Sequence, residues 1–189
     1  MSSGPREQSE GPVSHGGPSR EQARLRPAAR VLVLDPDDAL LLMHIVSDHT
    51  DVRSLHVTPG GACDPGEAPV RAALRELEEE TGIVVADPGP CVWRRRHIWR
   101  WGTGWWDQRE RYFLLRLDHR PEIRPTGLEP AEEETVRGWR WWSLNELEAA
   151  KDQVFVPRDL ATRLRRLLAG GPPDAPVDIS DQNFRTSWE

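Results

Sequence analysis

The chain has 189 residues, of which 37% are hydrophobic and 30% charged, and its net charge is −6. This length fits one globular domain with a core of its own, and the acidic balance argues against general nucleic-acid binding, which needs a basic surface to neutralise phosphates. No stretch approaches the ~20 apolar residues of a membrane span, and the first thirty residues lack the apolar segment of a secretory signal, so a cytoplasmic protein with reduced cysteines is expected.

The two ends of the chain are expected to be flexible. Residues 1–24 are rich in Gly, Pro, Ser and charge and offer almost nothing to bury, which predicts a disordered N-terminal tail. Residues 170–189 begin with GGPPDAP and predict a flexible C-terminal tail. The folded domain is therefore expected to span residues 25–169.

Strand signals are spread along this domain. Two apolar runs, 28–35 and 39–46, flank the turn residues 35–38 and predict a hairpin. Further strands are predicted at residues 55–58, 83–85, 91–101, 108–117 and 136–142.

Helix signals fall between and after these strands. Residues 70–80 carry apolar side chains at helical spacing, and Gly82 provides a C-terminal stop. Ser143 and Glu146 form a capping box for a short helix, and residues 157–169 predict a final amphipathic helix. Strands mixed with a few helices indicate a single α/β or α+β domain.

Three glutamates on the predicted helix at residues 70–80 point to a metal site. Glu76, Glu79 and Glu80 lie at i, i+3 and i+4 and share one helical face, where like charges repel. A hard divalent cation removes this repulsion, and carboxylate oxygens suit Mg²⁺ or Mn²⁺. The alternative is a solvated acidic face, which is common on glutamate-rich helices.

The stretch from Gly61 to Ile83 resembles the box of the Nudix hydrolases: Gly, five residues, Glu, seven residues, then Arg-Glu-apolar-any-Glu-Glu-any-Gly-apolar. Every fixed position of this pattern is filled, by Gly61, Glu67, Arg75, Glu76, Glu79, Glu80 and Gly82, with Leu77 and Ile83 at the apolar sites. The resemblance covers roughly residues 28 to 168. It implies an α/β fold in which a mixed β-sheet lies between helices and the box forms a loop-helix-loop.

The resemblance also implies a reaction, which is attack of water on phosphorus in a diphosphate bond. Glu76, Glu79 and Glu80 correspond to the ligands of a Mg²⁺ ion, with Mn²⁺ as a substitute, and either Glu79 or Glu80 doubles as the base. Arg75 completes the expected catalytic residues and, with Glu67, holds the ligating carboxylates in place.

A further acid outside the box is expected just before the last core strand. Its candidates are Glu132, Glu133 and Glu134, and the spacing to the tryptophans that follow best suits Glu133 or Glu134 as an additional metal ligand. The alternative is a solvated acidic loop.

Nine tryptophans are an unusually large number for a chain of this size. Trp99 and Trp101 alternate along a predicted strand and so share one face, and Trp105 and Trp106 follow closely. We expect these four to contact the substrate, because an aromatic plane stacks on a base. We expect the same of Gly60 and Gly61, because the glycine turn ahead of the helix lets the backbone approach a ligand closely. Packing within the protein is the alternative for each tryptophan.

The expected substrate is a small nucleotide, either a (d)NTP or a nucleoside diphosphate linked to another group, and its subclass stays open. No stable nucleic-acid or membrane partner is expected, and a homodimer is compatible with the family. A Nudix-fold nucleotide sensor without catalysis is the second hypothesis, although such domains generally lose box glutamates and this chain has lost none. An isopentenyl-diphosphate isomerase relative is the third, but Cys63 lies inside the box loop, where that chemistry gives it no role.

Overall fold

The structure is a computed structural model that describes residues 16–48 and 52–180. Its elements in chain order are β1 (Arg24–Leu34), β2 (Leu40–Val46), β3 (Ser54–Val57), α1 (Pro69–Thr81), β4 (Cys91–Trp101), β5 (Gly104–Arg116), α2 (Pro130–Thr135), β6 (Val136–Trp142), α3 (Leu144–Ala149), β7 (Phe155–Val156), α4 (Leu160–Gly170) and β8 (Val177–Asp178). Within these residues no helix is long and apolar enough to cross a membrane.

The described strands form one mixed sheet in the order β7-β3-β2-β1-β5-β4-β8, and β6 pairs with β2. Strands β1 and β5 run parallel over their shared length, from Arg24 beside Trp106 to Leu34 beside Arg116. Strands β4 and β5 form an antiparallel hairpin that closes at Trp101 and Gly104. The expected α/β architecture, a mixed sheet flanked by helices, is confirmed.

Each face of the sheet packs against its own helices because side chains alternate along β1. Leu32 and Leu34 belong to one buried cluster, which contains Leu160 and Leu164 of α4. Val31 and Val33 belong to a second cluster, on the face covered by α1. The two clusters form the core, and they hold α1 and α4 against the sheet.

Strand β1 separates from β2 over most of its length, which differs from the expected hairpin. The two strands pair only at Leu34 and Leu40, next to the turn. The middle of β1 bonds instead to the loop before α1: Ala29 N donates to Gly61 O at 3.0 Å, and Val31 N donates to Pro59 O at 2.9 Å. The gap between β1 and β2 thereby places this loop beside the centre of the sheet.

Several other elements differ from the sequence-based expectation. Residues 83–85 are not a strand, although Ile83 is buried in the core. Strand β5 begins at Gly104 rather than at residue 108, and α2 was not expected. Residues 1–15 and 181–189 of the expected tails lie outside the described residues.

The described parts of the expected tails pack against the domain. Gly17 forms a β-bridge with Trp105 near the tip of the β4–β5 hairpin. At the other end, β8 pairs with β4, and Ile179 is 2% exposed and donates its N–H to Arg94 O at 2.8 Å. The segment 170–180 therefore contributes to the core, which the expected flexible tail did not include.

Candidate active site

Helix α1 carries the acidic residues of the site into the interior. Pro69 occupies the first turn, where its missing N–H costs no helical bond, and Gly82 ends the helix with φ 73° while donating to Glu78 O at 2.8 Å. The face of α1 that packs on the sheet includes Ala73 and Leu77, and Glu76 and Glu80 are buried on the same side.

Three carboxylates converge at this face. Glu76, Glu80 and Glu132 each offer an oxygen within 4.8 Å of the others. Glu80 is 1% exposed, and Glu132 comes from α2, where a capping box holds it: its Oε2 accepts from Glu129 N at 2.9 Å. We call these three residues the carboxylate cluster.

Glu79 lies outside the carboxylate cluster for a geometric reason. At ~100° per residue, Glu80 is about 40° from Glu76 on one side, whereas Glu79 is about 60° away on the other. Glu79 therefore leans toward Arg75, whose Nη1 donates to its Oε2 at 3.0 Å, and its side chain is 39% exposed.

The additional acid also differs from the expected one. Glu133 and Glu134 are exposed, and the member of this run that reaches the carboxylate cluster is Glu132. The reason is the capping box of α2, in which the side chain of the third helical residue, Glu132, turns back toward the N-terminal end of that helix. The segment Glu129-Pro130-Ala131-Glu132 carries the signal for this helix, with proline at the first helical position and glutamate at the third.

The carboxylate cluster fits a hard divalent cation. Burial raises the pKa of Glu76 and Glu132 and raises that of Glu80 well above its usual range, and the neighbouring carboxylates add to the shift at each site. A Cβ at Gly61 would lie 2.6 Å from the Glu76 carboxylate, so glycine leaves this group the room that it occupies. Oxygen donors that repel each other in a buried place suit Mg²⁺ or Mn²⁺.

Gly60 and Gly61, expected as substrate contacts, lie against the protein's own carboxylates. Gly60 N donates to Glu80 Oε2 at 2.6 Å, and its φ of 129° is one that side chains rarely adopt. A Cβ there would lie 2.2 Å from Ala29 O, so only glycine fits. Gly61 O accepts from Ala29 N. The two glycines thus fix the loop and the carboxylates together.

Arg75 joins the other acids of the box. Its Nε and Nη2 donate to Glu67 at 3.2 and 3.0 Å, and its Nη1 donates to Glu76 Oε1 at 2.9 Å as well as to Glu79. Nη2 also donates to Ala62 O at 3.0 Å. These hydrogen bonds raise the pKa of Arg75, with the largest contribution from Glu67, and keep the guanidinium charged. Arg75 therefore orients Glu76 and Glu79 and anchors them to the loop.

A cavity of about 140 Å³ opens on the other face of the sheet, among β2, β3, β4 and β5. Its apolar wall includes the side chains of Ile45, Leu55, Val57, Trp99 and Trp101. Its polar lining includes Arg30, Arg95, His97, Gln108 and Glu110. We call this space the aromatic pocket.

Glu110, which the sequence analysis did not single out, organises the polar side of the aromatic pocket. It is 3% exposed and accepts from Gln108 Nε2 at 2.7 Å, Tyr112 Oη at 2.9 Å, Arg95 Nη1 at 3.2 Å and Arg30 Nε at 3.3 Å. Although burial alone would raise the pKa of Glu110, the surrounding cations hold it far below its usual range. The available signal was its alternation with Gln108 and Tyr112 on the inward face of β5.

Two of the four expected tryptophans line the aromatic pocket. Trp99 Nε1 donates to Gln108 Oε1 at 3.1 Å, and Trp101 meets Trp99 edge-on with ring centroids 5.9 Å apart. Trp105 and Trp106 are not among the residues of the pocket wall, and Trp105 exchanges backbone hydrogen bonds with Gly17. Trp99 is therefore held in one orientation by a side chain of the neighbouring strand.

Comparison with known proteins agrees with this geometry. Residues 24–164 match the family model of the NUDIX domain. Nudix hydrolase 26, chloroplastic, of Arabidopsis thaliana is 29% identical over 109 residues, which cover 51% of this chain and 50% of that protein. An RNA pyrophosphohydrolase of Cereibacter sphaeroides is 36% identical over 106 residues, 49% of this chain and 61% of the relative. The chain thus spans about half to two thirds of the length of these relatives.

The fold is also that of solved structures. The MutT protein from Methanosarcina mazei Go1 is similar with a TM-score of 0.57 at 19% identity, covering 76% of this chain and 94% of that one. At this identity the likeness shows the fold.

Proposed function

The chain belongs to the Nudix hydrolase family, and from this membership we propose that it hydrolyses a diphosphate bond in a nucleoside diphosphate-linked substrate with the help of Mg²⁺. The observation that carries the proposal is the carboxylate cluster, Glu76, Glu80 and Glu132, beside the glycine loop of the box. A buried group of three acids is unfavourable for stability alone and is explained by a cation that they hold.

The residues of the site have separate tasks in this proposal. Glu76, Glu80 and Glu132 hold the cation, which when bound neutralises charge on the phosphate oxygens. Gly60 N–H fixes the Glu80 carboxylate, and Arg75 fixes Glu76. With the carboxylates held in advance, the diphosphate meets a site that needs little rearrangement.

We assign the general base to Glu79. A base must reach the water from which it takes a proton, and Glu79 has a partly exposed carboxylate that Arg75 orients. Glu80 is enclosed, and one of its oxygens is occupied by Gly60 N–H. Glu79→Gln is therefore expected to lower kcat by about 10²- to 10⁴-fold, the usual contribution of a general base, while metal binding is retained.

The aromatic pocket is proposed to take the base of the nucleotide. Trp99 is preorganised by Gln108, and stacking on an aromatic plane contributes ~1–3 kcal/mol per base. Similarity to an RNA pyrophosphohydrolase supports a pyrophosphate bond as the target. The proposal does not extend to Trp105 and Trp106, which lie outside the pocket wall.

The test is phosphate and pyrophosphate release from a panel of (d)NTPs, dinucleoside polyphosphates, nucleoside diphosphate sugars and 5′-triphosphorylated RNA, with Mg²⁺ or Mn²⁺. Wild type is expected to cleave at least one class, Glu80→Gln to cleave none, and Glu122→Gln, whose side chain is 73% exposed, to match wild type. A thermal-shift measurement on the same panel reports binding separately. Binding without cleavage would identify a sensor and contradict the hydrolase proposal.

A further inference from the structure

Arg30 lies between the aromatic pocket and the loop of the Nudix box. It stands in β1, its side chain is 16% exposed, and it lines the pocket. Its Nε donates to Glu110 Oε1 at 3.3 Å, and its Nη1 donates to Thr58 O at 3.2 Å and to Gly60 O. One guanidinium thus bonds a carboxylate of the pocket and two carbonyls of the loop.

Gly60 connects Arg30 to the carboxylate cluster. Its carbonyl accepts from Arg30, and its N–H donates to Glu80 Oε2 at 2.6 Å. The loop cannot readily exchange Gly60 for another residue, because its φ is 129° and a Cβ would meet the backbone of β1. A continuous set of contacts therefore runs from Glu110 through Arg30 and Gly60 to Glu80.

Charge acts along the same line. Burial alone would lower the pKa of Arg30, but its ion pair with Glu110 raises it, so the guanidinium stays charged. The ion pair with Glu110 therefore keeps the guanidinium charged where it donates to the Thr58 and Gly60 carbonyls.

We propose that Arg30 is a positioning residue for the hydrolysis: it fixes Gly60, and through Gly60 the Glu80 carboxylate, while Glu110 fixes Arg30. The inference rests on the proposed function, and it adds a residue outside the box to the machinery that holds the metal. Lysine should not replace Arg30, because an ammonium on a flexible stem lacks the planar fork that bonds in two directions at once.

The experiment compares wild type with Arg30→Lys, Arg30→Met and Glu110→Gln. Mn²⁺ binding is measured without substrate by electron paramagnetic resonance, and kcat and KM are measured at saturating Mn²⁺ on a cleaved nucleotide. We expect both arginine variants to bind Mn²⁺ about 10- to 100-fold more weakly and to lose kcat by a similar factor, as for other residues that orient metal ligands. KM is compared in Arg30→Lys, which keeps the positive charge in the aromatic pocket, and there it is expected to change by less than about threefold, because the interaction acts on the chemical step.

Controls separate positioning from a merely structural role. Arg116→Met removes an arginine that is 52% exposed and pairs with Asp38, and it should leave Mn²⁺ binding and kcat unchanged. Glu110→Gln keeps the shape of the side chain and removes its charge, so it should weaken Mn²⁺ binding in the same direction but less. This variant decides the question if neither arginine variant folds.

The inference is overturned if folded Arg30→Met binds Mn²⁺ like wild type, or if Arg30→Lys restores full affinity. It is also overturned if thermal stability falls in these variants while Mn²⁺ affinity does not. Should wild type bind Mn²⁺ but cleave no nucleotide, the proposed hydrolysis fails by itself, and the Mn²⁺ titration still decides whether Arg30 positions Glu80.

Discussion

Gly61→Ala tests the carboxylate cluster with a single added methyl group. The new Cβ would lie 2.6 Å from Cδ and both oxygens of Glu76, which is 0.8 Å short of the 3.4 Å at which ordinary contact begins. Gly61 is not among the residues with positive φ, so the backbone accepts alanine. Because the obstacle is the end of a flexible side chain, we expect the Glu76 carboxylate to move by about 1 Å. The free energy of unfolding should then change by less than about 1 kcal/mol.

That displacement should be costly for catalysis. A shift of about 1 Å at a reacting group can lower the rate ~10²-fold, which corresponds to about 2.7 kcal/mol of transition-state stabilisation. Steady-state kinetics on a cleaved nucleotide and a thermal melt measure the two effects separately. Gly170→Ala is the control, since a Cβ there has no atom within 4 Å. Full activity of folded Gly61→Ala would refute the assignment of Glu76 to the site, whereas a loss of activity fully explained by unfolding would refute the expectation that the Glu76 side chain yields to the new methyl group.

Three further predictions concern the rest of the domain. Gln108→Leu removes the acceptor that holds Trp99 Nε1, so KM should rise about tenfold with kcat unchanged if that indole stacks on the base; an unchanged KM would contradict stacking. Ile179→Ala should lower the free energy of unfolding by about 2–4 kcal/mol in urea titrations, because a buried side chain is truncated, whereas a neutral result would mean that the segment 170–180 is dispensable. Burial lowers the pKa of His97 to about 4. As the pH falls from about 6.5 to 4, this histidine is protonated in the unfolded chain but not in the folded one, so the free energy of unfolding should fall. His97→Gln should flatten this pH dependence of stability, and exposed His119→Gln should leave it unchanged.

Local patterns predicted those elements whose signals lie within a dozen residues. Helix α1 follows the spacing of its apolar residues and ends at Gly82, and α3 begins at Ser143 with the predicted capping box. Strand β6 spans the predicted residues 136–142. Periodicity and capping are properties of the segment itself, and here nothing distant overrides them.

Pairings between distant segments were beyond these patterns. The runs at 28–35 and 39–46 look like a hairpin, but β1 takes its main partner from β5, about 80 residues later. Nothing in either run states this preference, because backbone hydrogen bonds are the same for every strand and the choice depends on which side chains the whole sheet buries. The opening between β1 and β2, into which the box loop fits, could therefore not be predicted.

The residues of the candidate site also fall into those that local patterns predict and those that depend on distant segments. The acids of the box could be predicted because a helix fixes their spacing, yet which of them converge depends on α2, whose capping box brings Glu132 rather than Glu133 or Glu134 to Glu80. Glutamate at an N-cap is unusual, so this helix carried a weak start signal. Likewise, the alternation of Glu110 along β5 indicates only which face of the strand it lies on, and the parallel pairing of β5 with β1 is what places it beside Arg30.

The charge of the aromatic pocket restricts the class of ring that can bind there more than the volume of the pocket does. Arg30 and Arg95 both contact Glu110, and His97 is neutral at pH 7 because burial lowers its pKa, so the buried polar side of the pocket carries one excess positive charge. Arg100, which is exposed on the same wall, adds a further positive charge. The chain as a whole is acidic, so this local sign belongs to the pocket rather than to the general composition. An electron-rich or anionic ring is favoured beside it and a cationic ring is disfavoured, since a charge there has little solvent to screen it. Under the proposed function, the acids of the box act on the diphosphate bond, and the side chains of β4 and β5 around Glu110 are expected to select the molecule that carries it.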